Sequence, residues 1–162
     1  GYGHCSEPGC TEGPSPHPWT YTVGLVTLGQ PELVIMGLDP WSNHEIIGSI
    51  VERRLAGDHL DVGHDLFVDV PPVRPVRLAD VPEAWITHDP DRMAAWFGWN
   101  RRRHGTVPTV QQVLWADSCW RFPGHRDHDR TVVQPVLADD PVSFPNPANR
   151  ESRRAARRRW AA

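Results

Sequence analysis

Proline occurs seventeen times and glycine thirteen times in 162 residues, and this density limits what the chain can fold into more than any other feature. Each proline removes a backbone donor and fixes φ, so it is tolerated at the ends of helices and strands and not in their interiors. The expected product is a loop-rich protein of short elements. A hydrophobic fraction of 39%, with eight Trp, still provides a core large enough for a domain of this length to fold unaided.

The apolar pattern between the breaks gives the elements. A short strand is read at Tyr2 to Cys10. Thr20 to Leu28 alternates like a strand, Gly29-Gln30-Pro31 turns, and Leu33 to Leu38 is apolar at almost every position, as in a strand covered on both sides. Ser42 and Glu45 have capping-box spacing ahead of Ile46, Ile47, Ile50, Val51 and Leu55, which predicts an amphipathic helix closed by Gly57. Leu66 to Val70 and Val73 to Leu78 read as strands separated by Pro71-Pro72. A second helix is expected from Asp89-Pro90 to Gly98, then an exposed loop at Arg101-Arg102-Arg103-His104, then strands at Val110 to Trp115 and Val132 to Leu137. These elements favour an α+β fold, a mainly antiparallel sheet with two helices packed on it in a single two-layer domain. That domain is expected over 1–138, with a Pro-rich linker and an Arg-rich tail over 139–162.

The residues most specific to a family are Tyr21-Thr22-Val23-Gly24-Leu25, Pro31-Glu32-Leu33, Gly37-Leu38, Gln112, Trp115, Asp117, Phe122-Pro123 and Gln134. On these positions the chain resembles the bacterial family designated domain of unknown function 4262, over residues 19 to 137. The resemblance implies a fold relationship and no activity.

Several of those positions are polar residues within apolar strands. A buried carboxylate or amide costs several kcal/mol, roughly, unless it is hydrogen-bonded. Glu32, Gln112, Asp117 and Gln134 are therefore expected either to converge on one polar pocket at the sheet edge or to satisfy backbone groups beside each of them. The pocket reading makes the protein a small-molecule binder, with an enzymatic role left open. Tyr21 and Trp115 would be its walls, although Trp115 reads more readily as core than as a stacking platform, and Gly24 would mark a bulge or the close approach of a backbone or ligand. Glu32, Asp117, His125 and His128 are the acid–base candidates. The last two belong to His125-Arg126-Asp127-His128-Asp129, which is either a site of imidazoles and carboxylates or a solvated loop.

His4, Cys5, Cys10 and His17 are the ligand types zinc prefers, with Cys119 as a possible fifth, against the alternative of ordinary loop residues. Three cysteines are too few for a disulfide framework, so reduced thiols are expected. A flavin is not expected, because the likeness of Thr22-Val23-Gly24-Leu25 to flavin reductases covers only those residues. Lysine is absent, which excludes a P-loop, a Schiff base and conventional pyridoxal phosphate chemistry and suggests a GC-rich genome, bacterial or phage. Residues 150–162 hold six Arg and one Glu, a tail of +5 on a body of −8. Nucleic acid is thus expected to bind only through that tail, with Arg153, Arg154, Arg157 and Arg158 on one helical face, unless the tail is merely solubilising. No long apolar run is present, so neither a membrane span nor a signal peptide is expected, and the anticipated setting is the cytoplasm. Homo-oligomers are compatible with all of this.

Overall fold

The computed structural model describes residues 19–70, 75–83, 93–105, 107–129 and 131–137. The expected strand at Tyr2 to Cys10 lies outside them. The fold is α+β. Its strands are β1 (Trp19–Tyr21), β2 (Glu32–Met36), β3 (Leu66–Phe67), β4 (Pro75–Asp80) and β5 (Val110–Trp115), and its helices are α1 (Pro40–Leu55) and α2 (Met93–His104). The strands form one sheet in the order β1-β2-β5-β4-β3.

The sheet is mainly antiparallel. β1 pairs with β2 (Thr20 opposite Ile35) and β3 pairs with β4 (Leu66 opposite Val76), both antiparallel. Ala116 donates to Pro75 and Val81 to Val110, so β4 and β5 also run in opposite directions. β2 and β5 are the exception. Glu32 donates to Thr109 at their starts, and the Trp115 indole donates to Met36 at their ends, which is a parallel progression. A parallel neighbour requires a long crossover, and the segment between these strands carries α1, β3, β4 and α2.

The chain separates into two compact units. The first comprises the described residues of 19–22, 33–78 and 113–135. Leu33, Val34 and Ile35 are fully buried there, as the continuous apolar run requires. Helix α1 packs against β1 and buries Asn43, Ile46, Ile47, Ile50 and Arg54, a stripe at helical spacing. Leu55, expected on that stripe, is 64% exposed because the buried face runs through Asn43, Ile47, Ile50 and Arg54, and Leu55 lies about 100° around the helix from Arg54. The helix cap also differs from the expected Ser42/Glu45 box. Asp39 is the N-cap, accepting from the N–H groups of Trp41 and Ser42, and Pro40 occupies the first helical position with its φ already suitable. Gly57 does close the helix, donating to Arg54 at a φ of 93°.

The second unit comprises the described residues of 23–32, 79–112 and 136–137. The strand expected to reach Leu28 ends at Tyr21, and Leu25–Leu28 forms a 3-10 turn. Gly24 and Gly29 flank that turn in the left-handed region, which a continuous strand would not allow. Helix α2 runs through Gly98 to His104, so the Arg101–Arg103 run is its last turn rather than a loop, and Gly105 closes it. Basic side chains at a helix C-terminus offset part of the cost of an interior glycine.

Val132 to Leu137, expected as a strand, is irregular, and side chains replace its ladder. Gln134 accepts from the Trp115 N–H at 3.2 Å, and Gln112 accepts from the Leu137 N–H at 2.6 Å. Gly37 brings this segment close: at φ 95°, a Cβ there would stand 2.7 Å from the Val133 carbonyl oxygen. At Gly24, φ 113°, a Cβ would meet nothing within 4 Å. Both Gly24→Ala and Gly37→Ala should therefore carry a positive-φ cost of about 1–2 kcal/mol. Gly37→Ala should lose a further 1 kcal/mol or more, roughly, from the clash, read as the difference in urea midpoint between the two variants.

Candidate functional site

Of the two arrangements expected for the four polar residues, one shared pocket or separate satisfaction of backbone groups, the hydrogen bonds follow the second. In the second unit Glu32 is fully buried, and its Oε1 accepts from the N–H groups of Gly24 (2.7 Å) and Val26 (3.2 Å). The carboxylate does the work of a cap for the 3-10 turn, because the residue at the N-cap position is a glycine with no side chain. Hydrogen bonds to a charged acceptor contribute about 1.5–3 kcal/mol each, which offsets the burial. Gln112, also fully buried, accepts from Leu137 as described.

In the first unit Gln134 binds the Trp115 N–H and donates at 3.4 Å toward the carbonyls of Met36 and Val113. Trp115 is a core residue, 5% exposed, its indole N–H donating to Met36 at 2.9 Å. Tyr21 lies on the edge strand, 40% exposed, its ring centroid 4.8 Å from that of Trp19.

Asp117 organises the loop that follows β5. Its Oδ1 accepts from the N–H groups of Cys119 (2.8 Å) and Arg121 (3.0 Å), and its Oδ2 from that of Asp129 (2.9 Å). Burial pushes this carboxyl up, but the backbone donors of Arg121, Asp129 and Cys119, with the charge of His128, outweigh it and hold it at about 2. Asp129 is also held low, by the Thr131 hydroxyl and N–H. Of the two expected imidazoles, His125 is exposed and its Nδ1 accepts from Asp127, whereas His128 has a buried Nε2 with no hydrogen bond.

The same loop presents the feature that the sequence did not reveal. Trp120 is the one non-glycine residue at positive φ (62°) among those described, and its side chain is 59% exposed. Its ring stands edge-on to Phe67, centroids 5.7 Å apart and planes at 63°. Phe67 is itself 52% exposed. Leu66, Val68 and Val70 are buried while Asp65, Phe67 and Asp69 are exposed, so the latter three share one face. In the register that sets Phe67 opposite Pro75, Asp65 falls opposite Arg77, and the two form an ion pair. Arg77 also lies 4.0 Å over the Phe122 ring. Phe67, Trp120, Arg77 and Asp65 thus gather on one surface of the first unit, with Asp69 two residues from Phe67 and the buried Phe122 ring beneath Arg77. The sequence signals were an exposed position in an alternating strand and a tryptophan in a turn; neither shows a positive φ.

Cys119 is the described cysteine, free and exposed. His4, Cys5, Cys10, His17, Arg153, Arg154, Arg157 and Arg158 lie outside the described residues. Among the described residues no group of three or more His, Cys, Asp or Glu donors stands in metal-holding geometry. No described helix is long and apolar enough to cross a membrane.

A carboxyl held below its ordinary 3.8 stabilises the fold above about pH 4, and that contribution disappears as pH falls toward 2. Asp117→Asn should therefore flatten the decline of the urea midpoint across that window. Trp120→Gly relieves about 1 kcal/mol of backbone strain and loses an aromatic contact of similar size, leaving thermal stability nearly unchanged. Trp115→Ala should cost about 3–5 kcal/mol by the same assay, as expected of a core residue.

No match was found among curated proteins or solved structures. Residues 9–129 match the family described as Domain of unknown function (DUF4262), three quarters of the sequence, and the chain belongs to that family.

Proposed function

We propose that this protein binds a small molecule on the surface formed by Trp120 and Phe67. The supporting observation is the conformation of Trp120. A large aromatic side chain is held in a backbone region that costs about 1 kcal/mol or more, and it is directed into solvent instead of the core. The contact with Phe67 offsets that strain but leaves more than half of each ring exposed, a surface on which a ligand can stack.

In this reading Asp117 is a positioning residue. Its three backbone hydrogen bonds fix the turn that displays Trp120. Glu32, Gln112 and Gln134 brace the scaffold through the backbone groups they satisfy. The exposed Cys119 thiol favours a reducing compartment, and hence the cytoplasm, as the setting.

Native mass spectrometry after incubation with the small-molecule fraction of a cell extract tests the reading. The wild-type protein should retain an adduct that Trp120→Gly, folded and comparably stable, does not. Equal retention by both proteins, or none by the wild type, overturns it.

A further inference from the structure

We infer that the molecule taken by the Trp120 and Phe67 surface is a small organic cation of the quaternary or alkylated ammonium class. This rests on the binding reading above and adds the charge of the ligand. Two carboxylates flank Phe67 on its own face, Asp65 and Asp69. Asp65 is neutralised by Arg77, and the same Arg77 lies over the Phe122 ring at 4.0 Å. The protein's own cation is therefore held on this face by one carboxylate and one aromatic ring together.

On the other side of Phe67 the pattern is half complete. Asp69 is exposed and makes no ion pair among the described residues. The rings of Phe67 and Trp120, edge to face and more than half exposed, supply the aromatic part. An exposed carboxylate two residues from Phe67, whose ring meets that of Trp120, supplies the charge and the aromatic faces that attract a cation. An alkylated ammonium group suits it better than a bare one, because its methyl groups bury against the rings while its charge remains diffuse. A neutral or anionic ligand would leave Asp69 uncompensated or repelled.

Choline, with 3,3-dimethyl-1-butanol as its neutral isostere, tests the charge requirement. The full-length chain is titrated with each at constant ionic strength, and the Trp120 indole resonance, assigned by its loss in Trp120→Phe, is followed by NMR. Choline should shift that resonance saturably, and the isostere should bind at least about fivefold more weakly. Asp69→Asn should reduce choline affinity several-fold while leaving the isostere unaffected. Equal binding of the two probes, no saturable shift with choline, or an unchanged affinity in Asp69→Asn overturns the cation assignment. A neutral adduct that depends on Trp120 in the native mass spectrum would also overturn it, yet leave the binding reading intact, so the two failures are distinguishable.

Discussion

Satisfying the backbone donors of a chain this rich in loops is the constraint on which the rest of the structure depends. Every buried N–H needs an acceptor, and short strands cannot supply enough of them. Four buried side chains make up the difference: Glu32 for the 3-10 turn, Gln112 for Leu137, Gln134 for Trp115, and Asp117 for three donors of the loop after β5. Each replaces a stretch of regular hydrogen bonding with one side chain. The cost of burying these polar groups is offset by the backbone groups they satisfy.

Such bracing is local, and that explains how a loop can be both irregular and firm. Asp117 gathers the N–H groups of Cys119, Arg121 and Asp129 around one carboxylate. With its ends fixed in this way, the loop holds Trp120 at a φ that an unbraced turn would leave. Arg77 braces the neighbouring β-ribbon in parallel fashion, pairing with Asp65 and stacking on Phe122. The exposed aromatic pair is what these two braces present.

Much of the fold was legible in the sequence. The α+β class, the fully buried run at Leu33 to Ile35, the helix over Ile46 to Ile50 and the strand Val110 to Trp115 all follow from apolar periodicity, which packing merely uses. The errors share a cause. The strand expected over Thr20 to Leu28 stops at Tyr21 and the one expected over Val132 to Leu137 does not form, because a strand is defined by the ladder a neighbour supplies and not by its own pattern. Asp39 rather than Ser42 caps the first helix because Pro40, with its φ already helical, begins it three residues before the Ser42/Glu45 spacing would require.

The candidate site divides in the same way. That Glu32, Gln112, Asp117 and Gln134 must be buried and satisfied was determined by the sequence alone, since polar residues inside apolar runs leave no other choice. Which groups satisfy them was decided by the tertiary structure, because the donors lie up to 25 residues away along the chain. Gly24 and Glu32, each unexplained by strand packing, account for one another only once the 3-10 turn folds back to place its free N–H groups at the carboxylate. Likewise the sequence fixes a tryptophan beside Asp117, but its positive φ and its contact with Phe67 arise from three-dimensional hydrogen bonding, to which linear pattern is blind.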